Sequence, residues 1–458
     1  MSPALPTLAM SPIISPSLSG PPLGLENRPL IRRVSTSSVK SIASAIVASA
    51  SSSVVSLPAA GDVEVVKEEG LKHADITLEA RQYTKAPFLQ KLLDCIRTLK
   101  ISSWLNQNIV PQDVKVDKVS GSLTNAVFFV SCPTTPEAKT LLLRIYGPSS
   151  GEMISRPREL HTLHILSSQY GLGPRVYGTF ENGRIEEYFD SKALTASDMR
   201  NPQISRWIGA RMAELHSVDV EVIEETSAET RGEGKGWEIS AKKNVKAWLG
   251  PAKEVLQLPA LSQADREELD LDKFKQDWDR YMKWLASVDD VTNASRRVFA
   301  HNDAQYGNLL RLTKVKDGLA PHRQIIVVDF EYASPNPATF DIANHFHEWT
   351  ANYHSSTPHL LDPSRYPTPS ERRNFYASYL EHAHKGAPLT DAELTAQLDK
   401  LDEQIRYWSP SSHAMWAVWG IVQARDDLQN DVKEPEFDYI GYAKCRMASF
   451  RREIAALL

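Results

Sequence analysis

The chain has 458 residues and a net charge of −5, enough for one bilobal enzyme with extensions or for two or three separate cores. The acidic balance, with no long Lys/Arg run, argues against a nucleic-acid partner, which would need a basic footprint to displace counterions. Cys95, Cys132 and Cys445 are scattered and form no Cys-x-x-Cys, so neither a disulfide framework nor a structural zinc site is expected, in keeping with a reducing cytoplasm.

Residues 1–70 are rich in Ser, Pro and Ala and carry few large apolar side chains. Such a segment cannot bury enough surface to offset its ordering entropy, so a disordered tail is expected. Its longest uncharged stretch, Ser41 to Gly61, is too polar for a transmembrane segment. No basic region precedes an apolar core, which argues against a secretory signal. Arg28, Arg32, Arg33 and Lys40 in an acid-poor setting keep a mitochondrial transit peptide as the alternative to a cytoplasmic protein. Arg32-Arg33-Val34-Ser35 has the form that basophilic kinases read, and a phosphate on Ser35 would change the partners of the tail rather than the fold.

The folded part is expected to begin near Ala74. Apolar residues at helical spacing predict a helix over 86–106, within an N-terminal extension of 74–110. A strand-rich lobe over 111–190 follows. Its patterns predict strands at 114–119, 125–130 and 141–146, a helix over 159–170, then strands at 176–180 and 184–189 turning at Asn182-Gly183. From Asn201 helical periodicity dominates, with helices over 204–218, 273–288, 369–384, 391–407 and 411–428 in a lobe of 191–458. Five strands with one inserted helix, ahead of a mostly helical remainder, is the plan of an α+β, bilobal, protein-kinase-like fold.

The nucleotide would lie against the first lobe. Ser120, Gly121, Ser122, Thr124 and Asn125 fall between two predicted strands, where backbone amides and hydroxyls can cradle phosphates. Arg144 interrupts an apolar strand, where a charge is costly unless paired or bound to a ligand. It stands where kinases keep a phosphate-binding Lys, and Glu159 is its expected partner. Glu187-Tyr188-Phe189 should connect the lobes and offer backbone groups to an adenine edge.

The chemistry is concentrated in His301-Asn302-Asp303-Ala304-Gln305-Tyr306-Gly307-Asn308 and in Ile325-Ile326-Val327-Val328-Asp329-Phe330-Glu331. An Asp, an Asn five residues on, and a second Asp ending an apolar run form a minimal kit for phosphoryl transfer. Asp303 would orient the attacking hydroxyl, while Asn308 and Asp329 supply the oxygen ligands that Mg²⁺ prefers. His-Asn-Asp in place of His-Arg-Asp, and Asp-Phe-Glu in place of Asp-Phe-Gly, point to a small-molecule kinase using ATP. Glu331 is either a second metal contact or an orienting acid beside the acceptor.

Further on come Tyr332, then Phe340-Asp341-Ile342-Ala343-Asn344-His345-Phe346-His347-Glu348-Trp349, and much later Trp416-Ala417-Val418-Trp419. These stretches, with the His-Asn-Asp-x-x-x-x-Asn motif, resemble the choline/ethanolamine kinase family from about residue 75 to the C-terminus. The Ser/Pro tail and the first helix are similar to the extension of fungal choline kinases. The resemblance implies Asp303 as base, Asn308 and Asp329 at Mg²⁺, and Gln305 and Arg144 near ATP. It also implies Tyr332, Glu348, Tyr353, Trp416, Trp419 and Tyr442 around choline, with Asp303 at its hydroxyl. Ser122 replaces a glycine that the family often has in the flap.

The residues themselves suit that acceptor. A quaternary ammonium has no N–H to donate, so aromatic faces and nearby carboxylates must hold it. Trp416 and Trp419, three apart on a predicted helix, share a face. Asp341 reads as structural, capping its helix or bracing the catalytic loop. An ethanolamine kinase is the near alternative, its ammonium donating hydrogen bonds to Glu348. A catalytically dead scaffold would be expected to lack Asp303, Asn308 or Asp329. An aminoglycoside-type phosphotransferase would want an acid-rich cleft in place of the paired tryptophans. A homodimer is left open.

Overall fold

A computed structural model describes residues 65–458 apart from 106–107, 121–124, 147–154, 226–237, 290–294, 316, 384–389, 434 and 436. The expected disorder of 1–64, the Ser35 motif and the flap residues Gly121, Ser122 and Thr124 lie outside the described residues, as do the side chains of Ser120 and Asn125. The last part of the expected tail is packed. Val66 is buried, and His161 Nδ1 meets the Glu68 carboxylate at 2.9 Å. The chain divides into two compact units, one ending at Tyr188 and the other running from Phe189 to Leu458.

The first unit is built on a six-stranded sheet in the order β1-β5-β6-β4-β3-β2. Its strands are β1 His73–Ala74, β2 Lys115–Ser120, β3 Asn125–Ser131, β4 Leu141–Tyr146, β5 Val176–Phe180 and β6 Gly183–Glu187. The two-residue β1 pairs parallel with β5 and is too short to leave a sequence pattern. The helix Ala86–Thr98 buries Phe88, Leu92, Leu93 and Ile96 in one apolar cluster with Phe128, Val130, Leu141 and Leu143 of the sheet. It ends eight residues before the expected 106 because Lys100 turns left-handed at φ 54°, and Ile101 N returns to the Ile96 carbonyl at 3.3 Å. A short second helix, Ser102–Leu105, follows. The tight turn is Glu181-Asn182 rather than Asn182-Gly183. Asn182 is occupied elsewhere: its side chain accepts from Leu78 N at 3.0 Å and donates to the Leu78 carbonyl at 2.8 Å. Gly183 begins β6, where a Cβ would run into the Arg144 carbonyl.

In the second unit the helix Asp391–Gln423 packs against the helices Tyr439–Leu457, Ser240–Val255 and Ala338–Glu348. Two helices, 391–407 and 411–428, were expected here; a single helix runs through Pro410. An interior proline removes one backbone bond and usually breaks a helix. Every residue from Trp408 to Ile421 is buried, so packing on several sides outweighs that loss. The hydroxyls of Tyr281 and Ser411 also reach the carbonyls of Tyr407 and Trp408, at 2.6 and 2.5 Å. Five short strands lie in this unit, of which only the one before Asp329 was expected, from its apolar run: β7 Ser191–Ala193, β8 Arg297–Ala300, β9 Leu309–Leu312, β10 Ile325–Val327 and β11 Ser334–Pro337. They form the antiparallel sheets β10-β9-β7 and β11-β8. No helix among the described residues is long and apolar enough to cross a membrane.

Candidate active site

Strand β8 ends at Ala300, and the chain turns sharply through His301-Asn302-Asp303. Asn302 sits in the left-handed region at φ 64°, which Asn tolerates better than most residues. Its neighbours over-determine that conformation. Asn302 Nδ2 donates to the Tyr332 carbonyl at 2.9 Å, its Oδ1 accepts from Asn336 Nδ2 at 2.9 Å, and its carbonyl accepts from Asn344 Nδ2 at 2.9 Å. Asp341 braces the same turn. Its Oδ2 accepts from His301 N and His216 Nε2, both at 2.9 Å, and its Oδ1 accepts from Asn302 N at 2.8 Å. Asp341 lies inside the helix Ala338–Glu348, whose N-cap is Pro337, so of its two expected roles it bears the bracing one. Burial opposes its charge, but the His216 hydrogen bond and the charges of His216 and His301 hold its carboxyl below the usual range.

Asp303 is buried. Asn308 Nδ2 donates both to its carboxylate at 2.8 Å and to its carbonyl at 2.9 Å, tying the two ends of the motif together. That bond turns the amide nitrogen of Asn308 toward Asp303, so its carbonyl oxygen is the atom that could serve a metal. Burial, then the charges of Glu348 and Asp329, push the Asp303 carboxyl well above its usual range, against the Asn308 bond and Arg446. A cation entering the site would favour the ionised form again. Asp329 follows β10 at φ 66°, a second left-handed non-glycine residue within the motifs. Asp329 and Glu331 are both partly exposed on either side of buried Phe330. Their charges, with that of Asp303, reach the Tyr332 hydroxyl, whose pKa burial raises. Gln305 is buried with its Oε1 lacking a hydrogen-bond partner. An orphaned buried acceptor in the same short loop as Asp303 and Asn308 fits a hard divalent cation or its water shell.

The acceptor candidates also converge within the second unit. Trp416 and Trp419 meet edge to face at 5.1 Å between centroids, Tyr332 lies 5.3 Å from Trp416, and Tyr442 lies 6.0 Å from Trp419. Trp419 Nε1 donates to the Tyr332 hydroxyl at 2.8 Å, and Trp416 Nε1 to Asn344 Oδ1 at 2.8 Å. Each indole N–H is therefore satisfied away from the ring faces. Tyr439, 5.8 Å from Trp419, is a further aromatic neighbour that the sequence reading missed. Glu348, expected as a contact for the acceptor's cation, is buried and already engaged within the protein: Oε1 accepts from Arg446 Nη2 at 2.8 Å and Oε2 from the Tyr353 hydroxyl at 2.6 Å. Arg446 was also missed. Its spacing of four from Tyr442 could have revealed a shared face, but an Arg on an amphipathic helix reads as surface.

In the first unit, Arg144 lies on β4 with its Nε 3.5 Å from Glu186. The charge of Arg144 acts on Glu159 as expected, but the close ion pair of Glu159 is with Arg184. Glu159 binds Arg184 at 2.5 Å, and Arg184 also holds Glu186 and the Tyr146 hydroxyl. β4 and β6 are neighbours with Arg144 opposite Arg184, so two arginines share the acids. Glu187 ends β6, Tyr188 is buried with its ring 4.8 Å from Phe129, and the Phe189 carbonyl accepts from the Ser191 hydroxyl at 3.0 Å.

The chain is similar in sequence and in fold to known proteins. The sequence profile of the choline/ethanolamine kinase family matches residues 116–451. The chain is 34% identical over 426 residues to the choline kinase of Schizosaccharomyces pombe, covering 81% of this chain and 90% of that protein. It is 34% identical over 385 residues to the choline kinase of Saccharomyces cerevisiae, covering 73% of this chain and 63% of that protein. Among solved structures, the choline kinase of Cryptosporidium parvum matches with a TM-score of 0.60 at 23% identity, over 80% of this chain and 96% of that one. The α+β, protein-kinase-like fold expected from the sequence is thus the observed one.

Proposed function

The chain belongs to the choline/ethanolamine kinase family, and on that premise we propose that it transfers the γ-phosphate of ATP to the hydroxyl of choline. The observation that carries the choice of acceptor is the grouping of Tyr332, Trp416, Trp419 and Tyr442 beside the Asp303–Asn308 turn. Aromatic faces suit a trimethylammonium, which cannot donate hydrogen bonds.

In this reading Asp303 receives or orients the choline hydroxyl, with Asn308 fixing its carboxylate. The positive head group lowers the cost of ionising a buried acid. Bound at Asn308 and Asp329, with Gln305 and Glu331 nearby, Mg²⁺ would supply charge neutralisation at the phosphates. Because the transition state is loose, positioning and electrostatics outweigh early proton removal. Asp341 acts through the loop backbone and is a positioning residue.

The same reading takes 111–190, with Arg144 and Glu187 to Phe189, as the nucleotide-holding lobe and 191–458 as the lobe of the catalytic loop and acceptor. Residues 74–110 are then an extension and 1–70 a tail. Phosphocholine made in the cytoplasm would feed phospholipid synthesis. Incubating the protein with ATP, Mg²⁺ and either amino alcohol, and following products by phosphorus NMR, tests the proposal. Phosphocholine should form faster than phosphoethanolamine; no turnover of choline, or a preference for ethanolamine, would overturn it.

A further inference from the structure

We propose that Arg446 is a specificity-determining residue of the acceptor pocket: by engaging Glu348 it withholds a charged acceptor from primary ammonium groups and so favours fully N-methylated amino alcohols. The inference rests on the choline reading above.

The Arg446–Glu348 pair is buried, with side-chain exposures of 0% and 3%. The second carboxylate oxygen of Glu348 takes the Tyr353 hydroxyl at 2.6 Å, so both oxygens have a strong donor. Arg446 is held on three sides. Its Nε donates to the Tyr442 hydroxyl at 3.0 Å, its Nη2 grips Glu348, and its Nη1 faces His413 Nδ1 at 3.5 Å. An Nδ1 that accepts from Arg446 leaves the His413 proton on Nε2, which faces Glu453 at 3.4 Å. Ser409 closes the set, donating to Glu453 at 2.7 Å while His347 Nε2 lies 3.0 Å from its hydroxyl. The potential ligand atoms of His347, His413 and Glu453 lie within 4.8 Å of one another. With protons already between them and Arg446 behind them, they read as a brace for the guanidinium rather than a metal site. Burial, then the charges of Arg446 and Arg452, hold the His413 ring well below its usual pKa, so it stays a neutral acceptor.

The consequence for selectivity is chemical. A primary ammonium gives up hydrogen bonds to water on entry and needs acceptors in return. An acid already paired with a buried guanidinium offers little. A trimethylammonium has no N–H to satisfy and gains from the faces of the aromatic side chains that surround it. Replacing Arg446 with a neutral residue would return a charged acceptor to the pocket.

The test is the kcat/KM series for ethanolamine, its N-methyl and N,N-dimethyl derivatives and choline, on the full chain and on R446Q. Ratios between alcohols within one preparation do not depend on the fraction that is folded. The wild-type values should rise with each methyl group. In R446Q the choline-to-ethanolamine ratio should fall by about tenfold or more, through KM for the alcohols and not for ATP. Tyr353→Phe, which frees one oxygen of Glu348, should move the ratio the same way by less. An unchanged ratio in R446Q overturns the inference and leaves the choline reading standing. A wild-type enzyme without choline turnover overturns the reading itself. If R446Q is insoluble, unchanged ratios in both Tyr353→Phe and His413→Asn overturn the inference.

Discussion

Replacing Asp341 with asparagine should damage the catalytic loop without touching any residue assigned to substrate. The carboxylate takes three hydrogen bonds at 2.8–2.9 Å, two from backbone N–H groups of the loop and one from buried His216. An asparagine keeps one oxygen. If that oxygen takes the place of Oδ2, the His301 and His216 bonds survive as neutral ones, each weaker by about 1 kcal/mol. The amide nitrogen then faces Asn302 N–H, leaving a buried donor unpaired at about 1–3 kcal/mol. The sum, roughly 3–5 kcal/mol, is a large share of the 5–15 kcal/mol typical of a folded domain. In a protein of this size it should lower the melting temperature by roughly 3–6 °C. The Asn302 backbone carries Asp303, and a shift of about 1 Å there costs on the order of 10²-fold in turnover. Thermal melts and steady-state kinetics on Asp341→Asn would show both effects, with kcat falling more than KM for ATP changes. A variant that melts like the wild type and keeps kcat within about twofold would mean that Asn336 and Asn344 hold the loop without Asp341.

Asp303→Ala should reduce turnover by about 10²-fold or more with ATP binding retained; a loss under roughly tenfold, with unchanged circular dichroism, would sink its assignment as base. Asn308→Ala and Asp329→Ala should raise the Mg²⁺ concentration needed for half-maximal rate, and an unmoved requirement in both would contradict the metal reading. A desolvated cation over an indole gains on the order of 2 kcal/mol, so Trp419→Ala should raise KM for choline about thirtyfold and leave KM for ATP alone; Trp419→Phe keeps a ring face but loses the bond to Tyr332, and should do less. A parallel rise in both KM values would make Trp419 a packing residue. His345 accepts from Trp349 Nε1 at 3.2 Å, donates through Nδ1 to the Ala304 carbonyl at 2.8 Å, and is held down by burial to about 4. The unfolded chain takes up that proton near pH 6.5 and the folded one only near 4. Stability should therefore be full above pH 6.5 and fall by on the order of 3 kcal/mol as the pH drops toward 4. Melting curves across that window should be flatter for His345→Gln than for the wild type, and equal slopes would exclude His345 as the source.

Much of the candidate site's geometry was legible because it is local. Asp303 and Asn308 are joined through one short turn, so their spacing in sequence is their geometry in space. Trp416 and Trp419 face the same way because the helical period puts them there. β4 and β5 matched their expected bounds of 141–146 and 176–180, since apolar runs of that length between turn residues leave few alternatives. The misses share a different cause. Pro410 should have ended a helix, yet a helix buried from Trp408 to Ile421 tolerates it, and burial on several sides is set by distant elements. Glu159 makes its close ion pair with Arg184, with Arg144 acting on it by charge, because β6 lies beside β4, a pairing fixed by sheet order rather than by sequence distance. Arg446 lies 98 residues from Glu348, and nothing in the residues between announces the pair. The sequence by itself determined which groups could carry phosphoryl transfer and which could face a quaternary ammonium. Only the tertiary structure decided which acids stay available and which are neutralised, because a buried charge takes its partner from whatever element packs against it.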